Sequence, residues 1–151
     1  MILAPPASAA QPASIGGVGS SASILRNGAP LGSITLAALR TARRQPGDLA
    51  ATPRNGLFLV VTMQLTAVGD GFGVGSPDFY VRGPDGARHR STPTASQPWG
   101  PELGATPATG GPLRRGGEHQ GIMVFDVRHL HGELVYAPVA DGHRPVAAWS
   151  F

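Results

Sequence analysis

The fold class is decided by residues 57–68, whose sequence is LFLVVTMQLTAV. Every second residue from Leu57 to Leu65 is large and apolar, so these side chains share one face of a strand. The residues between them begin as Phe58 and Val60 and then change to threonine and glutamine. A strand whose second face turns polar halfway is covered at one end and faces solvent at the other. The stretch therefore predicts a long strand inside an antiparallel sheet.

The same alternation recurs outside this strand in shorter pieces. The chain contains 22 Gly and 15 Pro among 151 residues, which are too many and too evenly spread for helices of ordinary length. Short strands with turns between them at this spacing predict an all-β antiparallel sandwich of about seven to eight strands. The further strands are predicted over residues 33–41, 78–82, 87–91, 121–128, 133–138 and 145–151.

Two stretches lack apolar periodicity. Residues 1–20 carry no charge and are rich in Ala, Pro, Ser and Gly, so we expect a flexible arm that is dispensable for folding, followed by the sandwich over 21–151. The arm is either a linker or the remnant of a signal peptide, because it has small residues near position 10 but neither a positive start nor a full apolar core. Residues 92–117 predict a long crossing loop, and such loops are functional or mobile.

The composition excludes several classes of protein. There are 12 basic residues, all of them Arg, against 9 acidic ones, and the net charge is +3. The arginine pairs at 43–44, 88 and 90, and 114–115 are scattered among Gly and Pro, whereas nucleic-acid binders usually carry a clustered basic footprint. The chain has no Cys for thiolate chemistry, and no apolar run approaches the roughly 18 residues of a membrane helix. We therefore expect neither a nucleic-acid partner nor a membrane span.

The order of several strand and turn sequences along the chain also resembles that of a known protein family. These sequences are LFLVVTMQLT at 57–66, PDFYV at 77–81, PDG at 84–86, RGG at 115–117, GIMVFDV at 121–127, LVY at 134–136 and AAW at 147–149. Over about residues 20–151 the chain resembles the immunoglobulin-like extracellular domains of actinobacteria that include the secreted mycobacterial immunoprotective antigen. The resemblance implies an immunoglobulin-like sandwich, an actinobacterial source, a secreted or cell-surface location and no catalytic residues. The chain departs from many members in having no lipoprotein cysteine and no complete signal peptide.

Two histidines form the first candidate metal site. His129 and His131 lie on one face if the strand before them continues, and a pair of imidazoles suits zinc or copper. The alternative is a pair of exposed turn histidines, because a glycine follows at once. The third ligand would come from His119, His143, Asp126 or Glu133.

The remaining signals for chemistry are weaker. Asp70 and Asp78 provide oxygens that calcium prefers, although two carboxylates alone also suit an ordinary strand connection. The glycine-rich stretch 69–75 lacks both the dinucleotide-binding spacing and the Lys-Ser/Thr pair of a phosphate loop. The chain also has no Gly-x-Ser-x-Gly nucleophile elbow. We therefore assign no catalytic residue, no cofactor and no firm metal ligand.

These observations favour a noncatalytic extracellular module that acts by protein–protein interaction. Its binding surface would be a sheet edge or the 92–117 loop, since such scaffolds bind through their edges and loops. The second hypothesis is a structural or accessory subunit of a larger assembly, with self-association included. The third is a metal-dependent or hydrolytic enzyme.

Overall fold

The structure is a computed structural model that describes residues 14–46, 51–91, 99–104 and 112–151. Within these residues the chain forms eight strands and no α-helix, with short 3-10 turns at Ser76–Asp78 and Val139–Asp141. The prediction of an all-β sandwich of seven to eight strands is confirmed. The strands are β1 (Ser21–Arg26), β2 (Ala29–Ala42), β3 (Leu57–Ala67), β4 (Phe79–Arg82), β5 (Arg88–Arg90), β6 (Glu118–Val127), β7 (Glu133–Tyr136) and β8 (Ala147–Ser150).

The strands form two antiparallel sheets of four, in the orders β1-β2-β3-β6 and β5-β4-β7-β8. The predicted long strand is β3, and it is internal to the first sheet. It pairs with β2 on one side and, from Leu57 opposite Val127 to Thr66 opposite Glu118, with β6 on the other. Its inward-facing residues are consequently shielded on both sides by neighbouring strands as well as by the opposite sheet.

The core lies between the two sheets and is built from alternate residues of each strand. Burial of these apolar side chains is the main force that holds the sheets together. The first sheet contributes Ile34, Leu36, Leu59, Val61, Met63, Leu65, Met123, Phe125 and Val127 among others. The second sheet contributes Phe79, Val81, Leu134, Tyr136, Ala147 and Trp149.

The outer face of the first sheet explains why β3 turns polar halfway. Phe58, Val60 and Val124 form a second apolar cluster on that face, under Trp99. The rings of Phe58 and Trp99 meet edge to face, with their centroids 5.6 Å apart. Beyond Val60, the outward residues of β3 are threonines and a glutamine, and they are only half buried. Trp99 thus covers the apolar half of this face.

β1 is a strand that the alternation of large apolar residues does not predict. Its inward residues are Ala22 and Ile24, and Ser23 separates them. One small and one large apolar residue give too weak a period-two signal in six residues. The strand forms because β2, which follows it after a two-residue turn, supplies a partner for its whole length.

Residues 14–20 join the two sheets along one side of the sandwich. The Ile15 N–H donates to the Ala148 carbonyl oxygen of β8 at 2.9 Å. The indole Nε1 of Trp149 donates to the Ser20 carbonyl oxygen, also at 2.9 Å. β1 and β8 therefore lie on the same side, which we call the β1/β8 side. The domain boundary at residue 20 stays a prediction, and residues 1–13 lie outside the described residues.

The opposite side of the sandwich is formed by β5 and β6. Ser91, directly after β5, forms an antiparallel bridge with Phe125 of β6. This bridge brings the edges of the two sheets together, and we call it the β5/β6 side. The described residues contain no helix with the length and apolarity that a membrane span requires.

Candidate functional site

The predicted metal pair lies in the turn between β6 and β7, where both imidazoles are exposed. His129 Nε2 is 3.7 Å from Oδ2 of Asp85, which belongs to the turn between β4 and β5. The pKa of Asp85 is lowered because its carboxylate accepts a hydrogen bond from the Ala87 N–H, and the charge of His129 acts in the same direction. His129 thus lies near an aspartate that is far away in sequence. His131 has no hydrogen bond or ion pair within the described residues.

The residues considered as third ligands have other partners or lie apart. Glu133 pairs with Arg82 at 2.8 Å, and both carboxylate oxygens of Asp126 accept backbone N–H groups. Nε2 of His119 is buried without a hydrogen-bond partner, and His143 is exposed with a positive φ of 61°. In the part of the chain that the structure describes, no group of three possible metal ligands comes together. The histidine pair as a metal site stays a prediction.

The two aspartates considered for calcium hold loops through their carboxylates. Oδ1 of Asp70 accepts the Arg115 N–H at 2.8 Å, which ties the β3–β4 connection to the residues before β6. Asp78 accepts the Gly75 N–H on Oδ2 and the Val139 N–H on Oδ1, each at 2.9 Å. Through these contacts, both aspartates hold loop backbones in place. The calcium site stays a prediction.

The described parts of the 92–117 loop bond to neighbouring strands. Residues 101–103 run beside β6, where the Leu103 N–H donates to the Ile122 carbonyl oxygen at 2.9 Å and the side chain of Leu103 enters the core. Leu113 bridges to Phe72 through a hydrogen bond of 2.7 Å. Residues 92–98 and 105–111 of the predicted loop lie outside the described residues.

A cleft of about 750 Å³ opens on the β1/β8 side, and we call it the β1 cleft. It lies between the end of β1 with its turn to β2, the connection at 72–73, and the segment from 136 to 146. Three large apolar side chains at this cleft face solvent, namely Leu25 at 58% exposed, Val139 at 51% and Val146 at 43%. The volume lies within the range of about 300–1,000 Å³ that is usual for binding sites.

The polar part of the β1 cleft centres on Tyr136. Burial raises the pKa of its hydroxyl to about 12, and the nearby carboxylates of Asp78 and Asp141 act in the same direction. Arg26 at the end of β1 and Asn27 in the turn to β2 complete the polar lining. The hydroxyl therefore stays protonated at any physiological pH, so it is a hydrogen-bonding group rather than a base.

A second cleft, of about 600 Å³, opens on the β5/β6 side, and we call it the arginine cleft. Arg54, Arg88 and Arg90 line it, together with His89. The acidic residue among its described lining residues is Asp126. The sequence does not predict this cluster, because Arg54 is far from the other two arginines along the chain, and Arg88 and Arg90 form one of several scattered pairs.

No family model matches the chain, and no curated protein is significantly similar to it in sequence. Among solved structures, it is similar to a secreted protein from Mycobacterium tuberculosis, MPT63. The two are 18% identical, the match covers 91% of this chain and 98% of that one, and the TM-score is 0.53. At this identity the likeness shows a shared fold, and the resemblance predicted from the sequence is confirmed at that level.

Proposed function

We propose that this protein is a noncatalytic binding module that acts outside the cytoplasm and holds a protein partner at strand β1 and the β1 cleft. The observation that carries the proposal is the exposure of Leu25, Val139 and Val146 around one cleft. Single exposed apolar residues are ordinary on protein surfaces, whereas apolar residues grouped around a concave site mark interaction surfaces. Three of the seven exposed large apolar residues among the described residues belong to this group.

The backbone of β1 provides a second reason for the assignment. In the sheet order β1 is an edge strand, and within the described strands its pairing partner is β2. An edge strand presents unpaired N–H and C=O groups to which an extended segment of another protein can add. Ile24, Leu25 and Arg26 belong both to this strand and to the lining of the cleft. A partner strand along β1 would therefore place its side chains into the cleft.

The location outside the cytoplasm is supported by the fold. The protein that shares the fold over nearly its whole length is described as secreted. The absence of Cys is compatible with this location, because a chain of 151 residues buries enough surface to fold without disulfides.

Site-directed photocrosslinking provides the test. A photoreactive residue placed at Leu25 is exposed to the secreted and surface proteins of the source organism, and the crosslinked protein is then purified for binding measurements. Because a buried apolar anchor contributes strongly to an interface, we expect Leu25→Asp to weaken this binding about tenfold or more. Leu25 is 58% exposed, so the substitution should leave the melting temperature nearly unchanged.

Leu130 provides the matched control, since it is 57% exposed and does not line the β1 cleft. Crosslinking of the same protein from position 130, or equal affinities of Leu25→Asp and the unmodified protein, would contradict the proposal. A crosslinked product made of two copies of this chain would favour the alternative of a self-associating subunit.

A further inference from the structure

We infer that the arginine cleft is a second binding site, and that its ligand is a tetrahedral oxyanion carried as a phosphate or sulfate group. The inference does not depend on the proposed protein partner, since this cleft lies on the β5/β6 side and the β1 cleft lies on the other side of the sandwich. Its volume of about 600 Å³ accommodates a compact ligand such as a phosphorylated sugar.

Among the described residues, no carboxylate forms an ion pair with the arginine side chains of the cleft. Within the described residues, the ion pairs are those of Arg82 with Glu133 and of His129 with Asp85. Arg54, Arg88 and Arg90 are exposed and have no acidic partner in that part of the chain, and Nη1 of Arg90 donates to the Pro77 carbonyl oxygen at 3.3 Å. Like charges gathered around one hollow repel each other and attract an anion.

Asp126 lines the cleft but does not pair with these arginine side chains. Its Oδ2 accepts the Arg54 N–H at 2.7 Å, and its Oδ1 accepts the Asn55 N–H at 2.8 Å. The Asn55 side chain in turn donates to the Asp126 carbonyl oxygen at 3.1 Å. The carboxylate therefore fixes the turn that carries Arg54 at the mouth of the cleft and leaves the guanidinium free for a ligand.

The arginines of β5 are held in position by a rigid aromatic ring. The guanidinium carbon of Arg88 lies 4.8 Å from the ring centroid of Tyr80, and that of Arg90 lies 6.0 Å from it. Tyr80 is buried, so its ring is a fixed platform, and its hydroxyl has no hydrogen-bond partner. Cations ordered in this way lose less conformational freedom on binding, which favours affinity for an anion.

The guanidinium group also indicates the kind of anion. Its planar set of donors matches two oxygens of a phosphate or sulfate group at once. A ligand with a compact, highly charged head satisfies more of these donors than a single carboxylate does.

The test is isothermal titration of the full chain with inorganic phosphate and with sulfate at low ionic strength, with sodium chloride as the baseline salt. We expect saturable binding that weakens about tenfold or more in Arg54→Gln, the loss typical of one charge-assisted hydrogen bond. Binding should also weaken as sodium chloride is added, because salt screens exposed charges. The tighter of the two anions identifies whether the natural ligand carries a phosphate or a sulfate group.

Two further variants keep the result interpretable. Arg26→Gln removes an arginine from the β1 cleft and should leave anion binding unchanged. Arg88→Lys keeps a cation beside Tyr80 but loses the planar donor set, so it should weaken binding without loss of folding. The amide resonances of residues 54–55 and 88–90 should shift on titration. Absence of saturable binding, or an equal loss in Arg54→Gln and Arg26→Gln, would overturn the inference.

Discussion

Aspartate carboxylates in this protein act chiefly as anchors for loop backbones. Asp70, Asp78 and Asp126 each accept backbone N–H groups from segments far away in sequence. A chain with many Gly and Pro residues and few charges needs such anchors, because its loops have backbone donors that no strand satisfies. The same contacts leave these oxygens less available to a metal ion.

The first prediction concerns the histidine pair. Zinc or copper added to the protein should not raise its melting temperature, because the carboxylates nearest in sequence to the pair already have partners in Arg82 and in the backbone at 54–55. His131→Ala should change the free energy of unfolding by less than about 0.5 kcal/mol, as for other exposed residues. A metal-dependent rise that disappears in this variant would establish the site and favour the enzyme hypothesis.

The second prediction concerns Tyr136, whose pKa is raised from 10.0 to about 12. The folded state favours the neutral phenol, so the stability linked to this group is complete below pH 10 and is lost as the pH rises towards 12. Asp141→Asn removes one of the negative charges responsible and should lower the pKa of Tyr136. The absorbance of tyrosinate, followed as the pH is raised, measures the pKa of Tyr136 in the unmodified protein and in Asp141→Asn. The same titration of Tyr136→Phe identifies the part of the signal that belongs to Tyr136. An unchanged pKa in Asp141→Asn would mean that burial and Asp78 cause the shift without a contribution from Asp141.

At the scale of elements, the segment 101–103 completes the edge of the first sheet beside β6. It passes so close to that strand that only glycine fits opposite it. A Cβ atom added to Gly121 would lie 2.5 Å from Cα of Leu103, which is closer than any ordinary contact. The close packing of the 101–103 segment against β6 therefore requires glycine at position 121.

The third prediction follows from this contact. Gly121→Ala should lower the free energy of unfolding by about 1–3 kcal/mol, the usual cost of overpacking, because the backbone of Leu103 has to move. Gly69→Ala is the control, since its nearest contact would be an ordinary 3.6 Å. Urea unfolding of both variants measures the difference. Equal stability of the two would show that the 101–103 segment is not held against β6 in solution.

The fourth prediction concerns residues 14–20, which belong to the arm that the sequence predicts to be dispensable. Deletion of residues 1–20 removes the carbonyl that accepts the Trp149 indole N–H, and an unpaired buried donor costs about 1–3 kcal/mol. We expect the melting temperature to fall by several degrees. Deletion of residues 1–13 alone is the control, and an equal fall in both deletions would assign the effect to residues before Ser14.

At the scale of the whole molecule, the two sheets leave their clefts on opposite sides. The β1/β8 side is closed by residues 14–20 and opens into the β1 cleft, while the β5/β6 side is closed by the bridge between Ser91 and Phe125 and opens into the arginine cleft. Sites this far apart on a rigid scaffold act independently when they share no contacts. One sandwich can therefore hold two unlike ligands.

The fifth prediction tests the architecture itself. Far-ultraviolet circular dichroism should show a spectrum dominated by β structure, because the described residues form eight strands and no α-helix. A helix content above about one fifth would contradict the sandwich, since helix makes up roughly a third of an average globular protein and the described residues contain no α-helix.

The sequence by itself determined the fold class and the position of most strands. The alternation in β3, and in β6 with Met123, Phe125 and Val127 inward, is a local property that follows from the geometry of a single strand. The sequence did not predict β1, because Ala22 and Ile24 are too few apolar residues to form a recognisable period-two alternation.

Only the tertiary structure decided which residues share a site. Arg54 meets Arg88 and Arg90 because the start of β3 and the edge of the second sheet approach each other on the β5/β6 side. Leu25 meets Val139 and Val146 because residues 14–20 tie β1 to β8. Arg54 and Leu25 are each separated from these partners by more than 30 residues along the chain. Periodicity within a strand carries no information about contacts over such separations. Pairing between strands and packing between sheets bring them together.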